Sequence, residues 1–256
     1  MRECLFPGGC ALCGQTLLTG EEAWYGLCRS CRDLLPVDRQ PRCSSCGRPR
    51  ISEQGRCLSC RKRAPFHFDG GFVLYPYAGK YRELLKAYKF GNSRSLGNFF
   101  ARRMLEALPL LLPQDPASFS WVPVPPRPGK IWKTGWDQAD YLAGRLDRLY
   151  RQNCARRRPH GAALPSNSAF LSGLGDTPYL PVCRCLKRLS SGTQKDLNRE
   201  DRKRNLKGRI MRVKDIPRRV VLFDDVITTG STLDACAESL KAGGAETVYI
   251  VCLFYD

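Results

Sequence analysis

The sequence lacks any apolar run long enough to cross a bilayer, and it lacks a secretory signal at its start. Its first ten residues, MRECLFPGGC, contain no apolar core of adequate length. The most apolar helical stretch, MLEALPLLLP, is short, carries Glu106 and contains two prolines. We therefore expect a soluble, cytoplasmic protein without membrane insertion.

Acidic residues are also scarce, with 24 Asp and Glu against 42 Lys and Arg, for a net charge of +18 at pH 7. This imbalance favours anionic partners such as phosphate esters or nucleic acid, without saying which. The 256 residues, 43% hydrophobic and 26% charged, otherwise have the composition of an ordinary globular protein. A chain of this length can form one large domain or two smaller ones.

Cysteine, in contrast, is abundant: there are 14, and eight of them form four CxxC pairs. The pairs are Cys10 with Cys13, Cys28 with Cys31, Cys43 with Cys46, and Cys57 with Cys60. A CxxC turn presents two thiolates on one side, and two such turns complete a tetrahedron around Zn²⁺. In a cytosolic protein this spacing indicates metal rather than disulfides, and we expect two structural zinc sites with no open coordination position.

Two alternatives to this zinc assignment remain at the level of sequence. The cysteines could be a redox dithiol or unligated thiols. The ligands could also be exchanged between the two sites in a cross-braced arrangement. Sequential pairing as tandem zinc ribbons is favoured, because each half has one CxxC followed by glycine (Gly14 and Gly47) and one without.

Composition divides the chain into a ribbon domain, residues 1–64, and an α/β domain, residues 65–256. A segment rich in Gly, Pro and Ser at about 152–178 is expected to be a flexible insert. Candidate strands, separated by amphipathic helical patterns, are 71–77, 119–125, 179–186, 219–225 and 247–254. This alternation predicts an α/β fold with a parallel sheet flanked by helices.

The segment VVLFDDVITTGST, residues 220–232, carries the strongest signal for a ligand site. A buried strand there would bring Asp224 and Asp225 to the carboxyl edge of the sheet, where ligands of open α/β sheets bind. Small and hydroxyl residues then lead into a helix whose amino terminus can bind a phosphate. They are Thr228, Thr229, Gly230, Ser231 and Thr232. Two nearby acids suit sugar hydroxyls or Mg²⁺, so the segment predicts a sugar-phosphate site. The alternative is a plain helix start capped by Ser231 and Asp234.

These residues resemble the phosphoribosyl-pyrophosphate signature of type I phosphoribosyltransferases. Other segments are similar to the ComF-like, competence-associated proteins related to those enzymes, in which an amino-terminal double zinc ribbon is typical. The matching segments are YPYAGKYRELLKAYKFGN, WVPVPPRP, TGWDQADYLAGRL and LKRLSSGTQKDLNREDRKRNLKG. The resemblance covers nearly the whole chain except residues 152–178.

The resemblance implies a role for each matching position. Asp224 and Asp225 would bind the ribose hydroxyls, directly or through Mg²⁺, and residues 228–232 would hold the 5-phosphate. The loop of Pro125, Pro126 and Arg127 would bind pyrophosphate. Arg188, counted with the two acids as catalytic, would belong to a mobile loop that closes over the site. Gln194, Arg202 and Asn205 match the same loop in the family pattern.

The implied reaction is displacement of pyrophosphate from the anomeric carbon of phosphoribosyl pyrophosphate. The attacking group would be a nitrogen atom of an acceptor that the sequence does not identify. Mg²⁺ bound with the substrate and cations such as Arg127 and Arg188 would stabilise the departing charge. Closure of the loop would exclude water, which would otherwise hydrolyse the activated sugar.

The chain departs from the family pattern at one segment. Arg-Gly-Phe-Asn-Gln of the family appears here as Thr134-Gly135-Trp136-Asp137-Gln138. The loss of a cation and the change of an amide to a carboxylate put in doubt any catalytic role for Thr134 and Asp137. The simpler interpretation is packing, with Asp137 as a helix cap.

Basic residues concentrate in the ribbon region and in the segment 199–214. The ribbon set is Arg39, Arg42, Arg48, Arg50, Arg56, Arg61, Lys62 and Arg63, and the insert adds Arg156, Arg157 and Arg158. One interpretation is a path for single-stranded DNA, with exposed ribbon aromatics stacking on bases, linked to DNA-uptake machinery. The other is a solvated basic surface.

Two functional hypotheses follow. The first is a phosphoribosyltransferase-like enzyme with an unknown acceptor, associated with DNA uptake. The second is a non-enzymatic, single-stranded-DNA-binding competence factor that retains the sugar-phosphate pocket. An intact acid pair and loop favour a working ligand site.

Overall fold

Six strands and eight helices are present in the part of the chain that the computed structural model describes, namely residues 8–50, 55–91, 93–112, 118–156, 180–189 and 210–256. The strands are β1 (Gly70–Pro76), β2 (Ser120–Pro123), β3 (Leu186–Arg188), β4 (Ile210–Arg212), β5 (Arg219–Ile227) and β6 (Thr247–Tyr255). The helices are α1 (Gly20–Tyr25), α2 (Arg29–Asp33), α3 (Leu58–Arg61), α4 (Gly79–Lys89), α5 (Leu96–Leu111), α6 (Lys130–Thr134), α7 (Gln138–Arg156) and α8 (Ser231–Ala242).

Four of the strands form one parallel sheet in the order β1-β6-β5-β2. The central strands β5 and β6 contain nearly continuous apolar runs, and their residues 220–223 and 250–254 are fully buried. Such runs are typical of parallel strands covered on both faces. The predicted α/β class with a parallel sheet flanked by helices is confirmed.

Each face of the sheet is covered by helices and by one half of the cysteine-rich region. On one face, α4, α5 and α7 pack together with Cys10, Cys28 and Cys31. On the other face, α8 packs together with Cys43, Cys46 and Cys60. The cysteine-rich halves therefore contribute to the two cores of the sheet.

Three predicted strands, 71–77, 219–225 and 247–254, are confirmed as β1, β5 and β6. The predicted strand 119–125 is shorter, because β2 ends at Pro123. The prediction of a strand over 179–186 was largely wrong: Val182 makes only an isolated parallel bridge to Trp121. Pro181 in this stretch has no N–H to donate to a ladder. Beyond it, β3 turns to pair antiparallel with β4 in a separate two-stranded sheet.

The second cysteine-rich half lies directly against β1. The guanidinium of Arg42 donates hydrogen bonds to the carbonyl oxygens of Val73 (2.6 Å) and Gly47 (3.0 Å) and lies 3.5 Å from the centre of the Phe72 ring. A Cβ at Gly47 would overlap the backbone of Gly71, so only glycine permits this approach. The boundary at residues 64 and 65 stays a prediction.

Helix α7 continues to Arg156, past the predicted start of the insert, and residues 157–179 lie outside the described residues. Among the helices that the structure describes, none has the length and apolar character needed to cross a bilayer.

Candidate functional site

The eight CxxC cysteines form two tetrads, and the members of each tetrad follow one another in sequence. In each group the four Sγ atoms lie within 4.8 Å of one another. The groups are Cys10, Cys13, Cys28 and Cys31, and Cys43, Cys46, Cys57 and Cys60. This is the tandem arrangement, since no tetrad in the structure mixes cysteines from the two halves.

The local backbone explains why these thiols converge. Gly14 and Gly47 adopt positive φ angles of 74° and 72°, which allow each knuckle to turn back after its second cysteine. Backbone N–H groups of Cys46 and Cys57 point at Sγ of Cys43, at 3.5 and 3.2 Å. Burial opposes ionisation of Cys43, but N–H donation by Cys46, Cys57 and Ser45 outweighs it and lowers the pKa of this thiol to about 6.

Four thiols gathered within a few ångströms, one of them with a depressed pKa, form the donor set that Zn²⁺ takes in structural sites. All four coordination positions of each site would be filled by protein. The tetrads therefore support two structural zinc ions, with folding rather than catalysis as their role.

The two acids lie at the carboxyl edge of the sheet. Strand β5 runs through Asp224 and Asp225 to Ile227, further than predicted, because β6 continues beside it with Val226 opposite Phe254. The backbone N–H of Asp225 donates to Oδ1 of Asp224 at 2.8 Å. Burial, and then the negative charge of Asp225, raise the pKa of the Asp224 carboxyl well above its usual range.

Lys89 is a site residue to which the sequence analysis gave no role. Its Nζ lies 2.7 Å from Oδ2 of Asp225, and both side chains are mostly buried. Lys89 also lowers the pKa of Asp224, against the larger effect of burial. A signal was present, because Lys89 belongs to the Lys-Phe helix end that carried part of the family resemblance.

The loop from Thr228 to Thr232 connects β5 to α8. Gly230 is the residue before the helix and has a left-handed φ of 76°, and no side chain caps the helix. Oγ1 of Thr229 and Oγ of Ser231 lie 2.9 Å apart. The alternative in which Ser231 and Asp234 form a helix cap is wrong, because Gly230 is the residue before the helix and Ser231 is already its first residue. Oδ1 of Asp234 instead accepts a hydrogen bond from the backbone N–H of His67 (2.8 Å).

The loop after β2 lies beside the acids. Pro123 is opposite Phe223, and the backbone N–H of Val124 donates to the Phe223 carbonyl at 2.9 Å, so the next residues follow at the level of Asp224. A cavity of about 300 Å³ opens between this loop and strand β3, and its lining includes neither the two acids nor residues 228–232. Its lining includes Pro125, Pro126, Arg127, Trp132, Lys187 and Arg188. The structure thus brings the predicted pyrophosphate loop and Arg188 together. Gln194, Arg202 and Asn205 lie outside the described residues.

The segment that departs from the family pattern has a structural role here. Oδ1 of Asp137 accepts a hydrogen bond from the backbone N–H of Asp140 at 3.0 Å, so the predicted helix cap is confirmed. Its Oδ2 lies 2.5 Å from Nζ of Lys130, which also donates to Oε1 of Gln138 at 2.6 Å. The hydroxyl oxygen of Thr134 lies 2.8 Å from the backbone carbonyl oxygens of both Lys130 and Trp136, and its single hydrogen is shared between them.

Part of the proposed nucleic-acid surface differs from the prediction. The ribbon aromatics are not exposed in the described part of the chain: Tyr25 is buried in the core and Trp24 packs against it. The most exposed aromatic side chains among the described residues are Phe90 (84%) and Trp132 (89%), both outside the ribbon region. Most of the segment 199–214, and residues 157 and 158 of the insert, lie outside the described residues.

Sequence comparison shows which known proteins this chain resembles. The sequence model of the double zinc ribbon domain family matches residues 1–61. The chain is 28% identical over 237 residues to Competence protein F of Haemophilus influenzae, with 88% of each chain covered. It is 26% identical over 255 residues to the DNA utilization protein YhgH of Escherichia coli K12, with 96% of each covered. The Salmonella typhi protein of the same name is 25% identical over 252 residues, also with 96% covered. The predicted resemblance to the ComF-like proteins is confirmed.

Proposed function

We propose that this chain binds phosphoribosyl pyrophosphate and transfers its ribosyl phosphate to an acceptor, in a role associated with competence or DNA utilization. The observation that carries this proposal is the acid pair Asp224 and Asp225, followed at once by an uncapped, glycine-initiated helix start. The names of the relatives, competence protein and DNA utilization protein, support the cellular role.

The phosphate would bind at residues 228–232. The residue before helix α8 is Gly230, which has no side chain to cap the helix, and the Ser231 N–H makes only a long hydrogen bond to Oγ1 of Thr229 (3.4 Å). The first N–H groups of the helix can therefore donate to an anion, and the positive end of the helix dipole favours that anion. The hydroxyls of Thr229 and Ser231 lie at the same turn and can supply further hydrogen bonds.

The ribose would bind at the acids. Two carboxyl groups held side by side in a partly buried position suit a vicinal diol. The ammonium group of Lys89, which contacts Asp225, shows that a positive charge is favourable beside the acids. A Mg²⁺ ion entering with the substrate would supply positive charge to the acids and to the pyrophosphate together. The chain offers this ion few ligands of its own, which is usual for magnesium bound with phosphates.

The pyrophosphate would occupy the cavity between the loop after β2 and strand β3. In the proposed reaction a nitrogen lone pair forms a bond to the anomeric carbon, and the bond from that carbon to the pyrophosphate oxygen breaks. The bonding electron pair leaves with pyrophosphate, and the nitrogen loses a proton to solvent or to a base. Arg127 and Arg188 line the cavity where the negative charge would increase, so they can stabilise the transition state electrostatically.

The test is equilibrium binding of phosphoribosyl pyrophosphate with Mg²⁺, followed by pyrophosphate release across a panel of nitrogen acceptors. We expect Asp224→Asn combined with Asp225→Asn to weaken binding at least about a hundredfold, since both carboxyl groups that would hold the ribose hydroxyls are lost. Asp215→Asn, in the exposed turn before β5, is the matched control and should bind as the unmodified protein does. Unchanged binding by the double variant would refute the pocket assignment.

A second candidate function is single-stranded DNA binding without catalysis. The exposed rings of Phe90 and Trp132, the net charge of +18 and the names of the relatives favour it. Ligand binding without pyrophosphate release on any acceptor would favour this function over the transferase.

A further inference from the structure

We propose that the second zinc ribbon is a positioning element of the phosphate loop, with Arg48 and Arg63 as the positioning residues. The second ribbon here means residues 43–63, which carry the tetrad Cys43, Cys46, Cys57 and Cys60. The inference deepens the proposed function, and it rests on that function for the identity of the ligand at residues 228–232.

Two arginines of this ribbon bond to consecutive carbonyl groups of the loop. Arg48 donates to the carbonyl oxygen of Thr228 at 2.7 Å, and Arg63 donates to that of Thr229 at 2.6 Å. Arg48 also approaches the carbonyl of Ile227, at 3.4 Å. Hydrogen bonds from a charged donor are stronger than those between neutral groups, so these carbonyls are held firmly.

The orientation of these carbonyls determines where the amides point. In a trans peptide the C=O and the following N–H point in opposite directions, and the described residues contain no cis peptide bond. With the Thr228 and Thr229 carbonyls turned towards the ribbon, the N–H groups of Thr229 and Gly230 are turned away from it. A phosphate at the start of α8 would accept hydrogen bonds from these two amides.

Each arginine is tied to a different CxxC pair of the same tetrad. The backbone carbonyl of Arg48 accepts a hydrogen bond from the N–H of Cys43 at 2.9 Å, which ties Arg48 to the pair Cys43 and Cys46. Arg63 follows α3, the helix that carries Cys60. A metal ion joining the two pairs would therefore fix the two arginines relative to each other.

The chain after the ribbon adds further contacts to the same turn. The guanidinium of Arg63 lies 3.6 Å from the centre of the Phe66 ring, and Phe66 stacks on Phe68 with ring centres 4.3 Å apart. The Phe66 ring lies so close to Gly230 that a Cβ there would be 2.8 Å from it. Nδ1 of His67 also lies 3.0 Å from Oδ1 of Asp234, in the first turn of α8.

These contacts give the ribbon a function that structural zinc alone does not require. The loop is held from the ribbon side by arginines and an aromatic ring, and its amides are left for the ligand on the other side. Zinc in the second tetrad and phosphate affinity at residues 228–232 should therefore be coupled. Zinc in the first tetrad, which packs on the opposite face of the sheet, should not affect phosphate affinity in this way.

The test combines amide hydrogen exchange of the ligand-free protein with titration of ribose 5-phosphate. In Arg48→Ala and in Arg63→Ala we expect the Asp234 amide, which donates to the Gly230 carbonyl at 2.8 Å, to exchange about tenfold faster, because the loop is held less firmly. Ribose 5-phosphate should bind about tenfold more weakly, since each variant loses at least one charge-assisted hydrogen bond to the loop. Arg48→Lys keeps a charged donor group at this position, so its exchange rate and its affinity should lie between those of the unmodified protein and those of Arg48→Ala. Arg29→Ala, which removes an exposed arginine of the first ribbon, is the control and should change neither.

Zinc content is measured in every variant, so that an unfolded ribbon is recognised. Retention of both zinc ions with unchanged exchange and unchanged affinity in both Arg48→Ala and Arg63→Ala overturns the inference. The exchange measurement needs no ligand, so it decides the inference even when the proposed function fails. Loss of ribose 5-phosphate binding only in the Asp224 and Asp225 variants would support the proposed function and refute the positioning role.

Discussion

The ammonium group of Lys89 lies 2.7 Å from Oδ2 of Asp225, which joins the end of helix α4 to the carboxyl edge of the sheet. The two residues are 136 positions apart, so this contact forms only in the folded chain. Because Asp225 adjoins Asp224, Lys89 is the cation that partly balances a pair of adjacent acids.

We expect Lys89→Met to destabilise the protein at pH 7 by about 1–3 kcal/mol, since a mostly buried carboxylate loses its charged partner. Chemical denaturation monitored by circular dichroism provides the measurement. Lys86→Met on the same helix is the control, because Lys86 pairs with Glu83 on the exposed surface and should contribute less than about 0.5 kcal/mol. Equal costs for the two variants would contradict the assigned role of Lys89.

Asp224→Asn should stabilise the ligand-free protein above neutral pH. Burial and the charge of Asp225 raise the pKa of Asp224 in the folded state, so the folded protein retains a proton that the unfolded chain releases. Stability therefore falls as pH rises from the ordinary carboxyl range through the raised pKa, and the asparagine variant lacks this loss. Its melting temperature should exceed that of the unmodified protein at pH 8, by about 2–4 °C for each kcal/mol relieved, and the difference should shrink in acid.

Calorimetric scans from pH 4 to 8 measure this difference, and Asp215→Asn serves as the exposed control. The same Asp224 variant should lose the rise in melting temperature that phosphoribosyl pyrophosphate with Mg²⁺ gives the unmodified protein. A variant that is less stable at every pH would show that Asp224 is a structural residue rather than a ligand-binding one.

Gly230→Ala should both destabilise the chain and weaken phosphate binding. Alanine at a φ of 76° costs about 1–2 kcal/mol, and its Cβ would also lie 2.8 Å from the Phe66 ring. Gly244→Ala is the control, because its φ is 100° but the surrounding space is open. The excess cost at Gly230, measured by denaturant titration, reports the ring contact, and ribose 5-phosphate affinity should fall at Gly230 only. Equal effects at both glycines would contradict a close-packed loop.

Metal analysis should find about two zinc ions per chain. Cys57→Ser removes one ligand of the second tetrad and should lower the content to about one, with faster exchange of the Asp234 amide that donates to the Gly230 carbonyl. Cys183→Ser, outside both tetrads, is the control and should retain two. Disulfides in place of metal, detected by mass spectrometry without reduction, would contradict the zinc assignment.

The sequence was sufficient for features that depend on local pattern. The strands β5 and β6 could be predicted because burial on both sides of a sheet gives a nearly continuous apolar run that is visible in the sequence. The CxxC spacing likewise predicted both cysteine tetrads. The bounds of β5 were less accurate, because its extension to Ile227 depends on pairing with β6 rather than on its own composition.

What could not be predicted depends on contacts between distant segments. The hairpin of β3 and β4 has three residues in each strand, too few to show a period, and 21 residues separate them. Arg48 and Arg63 were assigned to a basic surface because the sequence cannot tell a solvated guanidinium from one bonded to a backbone carbonyl 166 or more positions away. Because both guanidinium groups are bonded to the loop, these two arginines are not part of a surface that could bind nucleic acid.

Single-stranded DNA binding, if the second candidate function holds, should depend on aromatic side chains outside the ribbon. Trp132→Ala and Phe90→Ala should each weaken binding by about 1–3 kcal/mol, the usual contribution of one stacked base. Leu18→Ala, an exposed apolar residue of the ribbon region, is the control.

Fluorescence anisotropy with a labelled oligonucleotide at several salt concentrations measures both stacking and charge, since each phosphate neutralised adds about 0.7 to the slope of log affinity against log salt. The aromatic variants should lower the affinity while leaving this slope unchanged, because they remove no charge. A flat salt dependence would instead mean that the net charge of +18 serves the polyphosphate substrate and not DNA.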